Sequence, residues 1–293
     1  MCKCNKYRDD KLHHECGVLG VYGVPDAAGL AYYGLHALQH RGQQGCGIVT
    51  VDSEGLFHRV KGDGLVTEVF NEAKMGLLPG HMAIGHVRYS NAGCNGTENL
   101  QPFLFHHNSG DFALANNGQI VNYHQLREEL EDRGSLFQSS SDAEILAHLI
   151  KKQGIDKNQP RIEALKTALN VIDGAFAFVV MTGRRIYACR DKYGFHPLAL
   201  GKLGEGYVVA SETCAFDVIG AAEIKEILKQ LKNDPIMASA ASFMQSPSAM
   251  PCVRWNMSIS PVLTVISKDA MCITTERSLE GFCSVSLQWM LIL

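Results

Sequence analysis

His14-Glu15-Cys16-Gly17-Val18-Leu19-Gly20 is the stretch on which the reading of this chain turns. A cysteine is a strong nucleophile only as its thiolate, so a base has to take its proton. Cleavage between Glu15 and Cys16 would give Cys16 an α-amino group of its own, with a pKa of about 7.7–8 suited to proton transfer near neutrality. The apolar, glycine-punctuated run after it reads as a strand that would hold such a terminus rigidly. The alternative is a buried cysteine at the head of a strand, which the motifs downstream must outweigh.

Working outward, the chain has 293 residues, 46% hydrophobic and 19% charged, with a net charge of −3. That is ordinary for a globular chain and gives no basic footprint for nucleic acid or an anionic membrane. Residues 1–15 are polar, with Lys3, Lys6, Arg8 and Lys11 among Asp9, Asp10 and Glu15, and hold no apolar run for a secretory signal. No run of about eighteen apolar residues suggests a transmembrane helix. In that setting the ten cysteines read as reduced thiols of a cytoplasmic protein. Cys2, Cys4, His13, His14 and Cys16 lack zinc-ligand spacing, so no metal site is expected.

The text from Cys16 to Ala222 is dense and punctuated. Strands are predicted at 17–23, 47–52, 82–88, 103–106, 112–115, 175–181, 185–190, 197–200 and 207–211, and helices at 26–38, 122–131, 141–151 and 160–172. Mixed in this way they suggest stacked sheets covered by helices, an α+β fold. Beyond residue 222 the composition changes: of 28 glycines only Gly281 lies past Gly220. A short helix is expected at Lys225–Lys232, followed by an unpatterned C-terminal tail in which Arg254 is the one charge between Pro235 and Ser267.

Four segments carry polar residues that packing explains poorly. In Leu38-Gln39-His40-Arg41-Gly42-Gln43 the basic residues also suit a helix C-terminus. In Gly85-His86-Val87-Arg88-Tyr89-Ser90 an arginine ends an apolar strand, where its fork can clamp a carboxylate or simply snorkel. Asn117-Gly118 is a hairpin signal, yet an Asn amide beside a Gly N–H is also a pair of oxyanion donors. Ser139-Ser140-Ser141-Asp142-Ala143-Glu144 reads as a helix cap or as a carboxylate offered to an ammonium. Nucleophile, base, oxyanion donors and grips for both ends of an amino acid together fit hydrolysis of a side-chain amide.

Those segments, with Arg190-Asp191-Lys192-Tyr193-Gly194-Phe195-His196-Pro197-Leu198 and Ser211-Glu212-Thr213-Cys214-Ala215-Phe216, make the chain similar to the N-terminal-nucleophile (class II) glutamine amidotransferases, in particular the amidophosphoribosyltransferase branch. The resemblance implies a four-layer αββα sandwich over residues 16–222, a removable leader at 1–15 and a divergent tail at 223–293. It implies Cys16 as nucleophile, Asn117 and Gly118 as oxyanion donors, and Arg88, Asp142, Arg41 and Tyr89 on the substrate side. L-glutamine is the implied substrate. Phosphoribosylpyrophosphate, magnesium and an iron–sulfur cluster belong to a transferase half whose Asp-Asp and phosphate-loop signatures do not occur after residue 222. A homo-oligomer is also compatible with the resemblance.

Two departures accompany it. Asn91 stands where the family carries threonine, and the tail does not align. The readings left open are a glutaminase without its synthase half, a non-catalytic remnant, and the ammonia-supplying subunit of a split enzyme.

Overall fold

The computed structural model describes residues 16–89, 96–108, 110–153, 161–226, 262–267 and 271–274. The leader, Ser90 and Asn91 lie outside them. In chain order the elements are β1 (Gly17–Tyr22), α1 (Ala27–Ala37), β2 (Gly45–Val51), β3 (Phe57–Asp63), α2 (Val66–Val69), α3 (Glu72–Met75), β4 (Met82–Arg88), β5 (Phe103–Phe105) and β6 (Phe112–Ile120). Then come α4 (Tyr123–Asp132), α5 (Glu144–Gln153), α6 (Arg161–Val171), β7 (Gly174–Thr182), β8 (Arg185–Arg190), β9 (Ala199–Leu203), β10 (Gly206–Ala210), α7 (Cys214–Ile219), β11 (Ala222–Glu226), β12 (Val262–Ser267) and β13 (Met271–Thr274).

Two antiparallel sheets result, in the orders β11-β9-β10-β1-β4-β2-β3 and β13-β12-β8-β7-β6-β5. Side-chain alternation, the two-residue period of a strand, assigns their faces. Val18, Met82, Ile84, Ala113, Ala115 and Val179 fill the layer between the sheets. Leu19, Val21, Ala83 and Val87 point the other way, against α1 and α7. Leu114, Phe176 and Phe178 pack against α4, α5 and α6. The layers are therefore helix, sheet, sheet, helix: the αββα sandwich that the resemblance implies.

Three expectations change. The hairpin at Asn117-Gly118 gives way to one strand that pairs in unbroken register from Phe112↔Thr182 to Ile120↔Gly174. The apolar partner β7 carries the pairing straight through the local turn signal. Gly118 takes a φ of 134°, a conformation that favours glycine, and a Cβ there would lie 2.1 Å from the Ala175 carbonyl oxygen. Ala222–Glu226 is a strand on the free edge of β9, so no helix begins at Lys225, and the rest of that expected helix, 227–232, lies outside the described residues. The tail that looked patternless supplies two strands: β12, a β-branched run, pairs with β8 from Val262↔Arg190 to Ser267↔Arg185, and β13 pairs with β12.

Candidate active site

Cys16 stands at the mouth of β1, partly exposed, with φ 52°. Its Sγ lies 3.4 Å from both the main-chain N and O of Tyr89, the first residue past β4. The residue is held from behind. Arg41, 1% exposed in the 3₁₀ turn Gln39–Arg41, donates from Nε to the Cys16 carbonyl at 2.6 Å and pairs through Nη1 with Glu212. Burial raises the Glu212 pKa, but Arg41 and then His40 draw it below the usual carboxylate value. Glycine is required at position 42, where a Cβ would sit 2.5 Å from the Arg88 backbone. The Gln-His-Arg-Gly stretch thus mounts Cys16 and seats the end of β4.

The oxyanion candidates lie on β6. Phe176, opposite Gly118, receives at its carbonyl the N–H of Asp191 and donates its own N–H to that side chain, so the pair is not bonded across the ladder. The main-chain groups of Asn116 and Gly118 accordingly point to the other edge, which β5 covers only from Phe112 to Leu114. Side chains serve this open edge. Gln101 Oε1 accepts from Asn116 N at 2.6 Å, His86 Nε2 contacts the Asn116 carbonyl at 3.1 Å, and Asn116 Nδ2 donates to the Gly118 carbonyl at 3.3 Å. None of these three takes up the Gly118 N–H. Asn117 continues the face of Ala113 and Ala115 toward β1 and β4; it is fully buried, and neither its Nδ2 nor its Oδ1 has a hydrogen-bond partner. A buried amide left unpaired costs stability, which makes Asn117 a candidate donor for a ligand.

Arg88, 9% exposed, ends β4 and donates to the Gly96 carbonyl at 3.3 Å. Asp142 accepts the Ile120 N–H at 2.7 Å. Burial raises its pKa, with the N–H groups of Ile120, Ala143 and Asp142 opposing. The loop before it is tied down by Glu144, whose carboxylate accepts from Gln138 N, Ser139 N and Ser139 Oγ at 2.6–2.9 Å. These elements enclose a cavity of about 570 Å³ lined by Cys16, Arg88, Tyr89, Gly118 and Asp142, together with His86, Asn99, Gln101 and Ser140. It has the size of a small-molecule site.

Five of the residues singled out in the sequence thus share one cavity, Asn117 sits beside it in the inter-sheet layer, and Arg41 stands behind Cys16, outside the lining. His86 and Gln101 drew no role from the sequence: a contact to one main-chain group leaves no motif of its own. Among the described residues His40, Glu212 and Cys214 bring metal-ligand atoms within 4.8 Å of one another. The pairing of Glu212 with Arg41 and His40 accounts for that trio as a bracket around Arg41.

A glutamine amidotransferase domain family matches residues 86–218, a span that takes in Arg88, Asn117, Gly118 and Asp142. The chain is 50% identical over 217 residues to amidophosphoribosyltransferase of Bacillus subtilis, covering 74% of this chain and 45% of that protein. Over 224 residues it is 48% identical to amidophosphoribosyltransferase 1, chloroplastic, of Arabidopsis thaliana, covering 76% and 39%. A solved structure of glutamine phosphoribosylpyrophosphate amidotransferase from B. subtilis, complexed with ADP and GMP, superposes with a TM-score of 0.72 at 40% identity, covering 89% of this chain and 49% of that one. The chain therefore spans less than half the length of these relatives.

Proposed function

Because the chain carries the glutamine amidotransferase domain of the amidophosphoribosyltransferases, we propose that it hydrolyses the side-chain amide of L-glutamine to glutamate and ammonia. The observation that carries this reading is the convergence of Cys16, Gly118, Arg88 and Asp142 on one cavity.

In the proposed reaction the Cys16 amine, freed by loss of residues 1–15, takes the thiol proton. The sulfur attacks the amide carbon, and the carbonyl electron pair moves onto oxygen. The Asn117 amide and the Gly118 N–H stabilise that oxyanion, each such donor being worth about 3–4 kcal/mol of barrier. Collapse expels ammonia, which carries off the proton held by the amine, and water then hydrolyses the thioester to glutamate and the thiol. Arg88 clamps the α-carboxylate with a fork that lysine lacks, and Asp142 faces the α-ammonium. Delivery of the ammonia to phosphoribosylpyrophosphate, the opening step of purine synthesis, needs a transferase half. We place the activity in the cytoplasm, on the strength of the sequence reading above.

Glutamate formation by wild type and Cys16→Ala, with intact-mass measurement of the purified chain, tests the proposal. The expected result is slow hydrolysis that Cys16→Ala abolishes, by a chain starting at Cys16. Activity that survives the loss of Cys16, or that persists with residues 1–15 attached, overturns the corresponding step.

A further inference from the structure

We propose that His86 is a positioning residue for the oxyanion donors: by donating from Nε2 to the Asn116 carbonyl it ties the interior strand β4 to the open edge of β6 and fixes the strand that presents Asn117 and Gly118. This rests on the function proposed above and adds a residue to it.

His86 is fully buried, in register with Val18 of β1 on one side and Gly47 of β2 on the other, so its backbone is held by two neighbours. It shares the inter-sheet face of β4 with Ile84 and Arg88, and its ring spans the gap between the sheets to reach Asn116 O at 3.1 Å. A carbonyl only accepts, so Nε2 must carry the hydrogen. Nδ1 is then the lone-pair nitrogen, and it is buried without a hydrogen-bond partner. Protonation would bury a second, unpaired N–H and a charge close to Arg88. Burial, with Arg88 adding, pushes the pKa down to about 3 against the opposing Asn116 contact. The geometry thus fits a neutral ring that donates from Nε2 to Asn116.

The receiving edge explains why such a donor matters. From Asn116 onward it has no pairing to β5, and its main chain is held by Gln101, His86 and the Asn116 side chain. The Asn116 carbonyl belongs to the peptide unit that leads into Asn117. Releasing it frees the stretch from which both oxyanion donors project, and a shift of about 1 Å there can cost about a hundredfold in rate.

The test uses the full chain with His86→Leu, which removes the donor, and His86→Gln, whose amide nitrogen can take the place of Nε2. The expected result is a fall in kcat of about tenfold to a hundredfold for His86→Leu with KM for glutamine within about twofold, and recovery of most of kcat in His86→Gln. Equal losses in both variants, or a loss carried by KM, overturn the proposal. Nitrogen-15 NMR of the wild-type ring gives a reading that needs neither turnover nor a folded variant: the neutral Nε2–H tautomer at pH 6 is expected, and an Nδ1–H tautomer or a protonated ring overturns the role of His86. A wild type that makes no glutamate yet shows the Nε2–H tautomer removes the functional reading instead.

Discussion

Arg41 and Cys16 are joined main chain to side chain: Arg41 Nε donates to the Cys16 carbonyl at 2.6 Å, while the same guanidinium pairs with Glu212. A planar cation with diverging N–H groups can serve a carbonyl and a carboxylate at once, which an ammonium at the end of a flexible stem cannot do with the same geometry.

Arg41→Ala should therefore cost stability as well as activity. Breaking a buried ion pair from one side typically costs about 3–5 kcal/mol, and the partial exposure of Glu212 puts this case at the lower end. The Glu212 carboxyl is depressed in the folded chain, so its contribution is present above its unfolded pKa and is lost as pH falls through the folded one. Urea unfolding at pH 7 and pH 4 checks this: the wild type should lose more stability on acidification than Arg41→Ala.

Asn117→Leu should separate stability from catalysis. The substitution keeps the volume and removes two buried polar atoms that lack partners. Stability should hold or rise by about 1–2 kcal/mol. Glutamine turnover should fall by about a hundredfold to a thousandfold, the usual cost of one oxyanion donor. Thermal melts and glutamate assays on one preparation read both quantities, and a destabilised variant would remove the argument from unmet hydrogen bonds.

Asp142 should set an acid limit on glutamine binding. Burial raises its pKa, and only the ionised carboxylate attracts an ammonium. KM should rise as pH falls through this raised value, at higher pH than for an ordinary carboxylate. Asp142→Asn should show a high KM with that acid limb gone. Because the raised pKa disfavours the charged form in the fold, Asp142→Asn should be at least as stable as wild type at pH 7. Steady-state KM from pH 4.5 to 8, with melts at pH 7, decides it.

Glu144→Gln should loosen the loop that carries Asp142. Burial raises the Glu144 pKa, but His148 and the Gln138 and Ser139 donors lower it further, so the folded chain favours the carboxylate. An amide would turn a donor toward N–H groups that need an acceptor. A loss of about 2–3 kcal/mol at pH 7 is expected, shrinking as pH falls through the folded pKa of Glu144, together with a raised KM for glutamine. Equilibrium unfolding against pH measures the first effect and saturation kinetics the second.

The parts of the fold that could be read from the sequence are those written in local text. Met82–Arg88 and Arg185–Arg190 are apolar runs of strand length, and both strands have the bounds expected of them. Phe57–Asp63 escaped because a partly exposed edge strand with His58, Arg59 and Lys61 carries no apolar alternation. The Asn117-Gly118 turn signal was overridden by β7, a partner more than fifty residues away that no window around Gly118 contains. The same holds for the site. The cysteine, arginine and carboxylate announce themselves by type, whereas His86 and Gln101 act through distances to a main chain that only the packed sheets bring near.

Cys16 also stores torsional energy at the point where residues 1–15 join. Its φ of 52° is left-handed, costing a residue with a Cβ about 1–2 kcal/mol. That angle exists only while the Glu15 carbonyl is attached to the Cys16 nitrogen. Severing the bond would abolish the torsion and release its cost, and would leave the carbonyl side of Cys16 anchored to Arg41. If residues 1–15 are removed as proposed above, a chain that begins at Cys16 should settle into the same site with less strain than the chain that carries them.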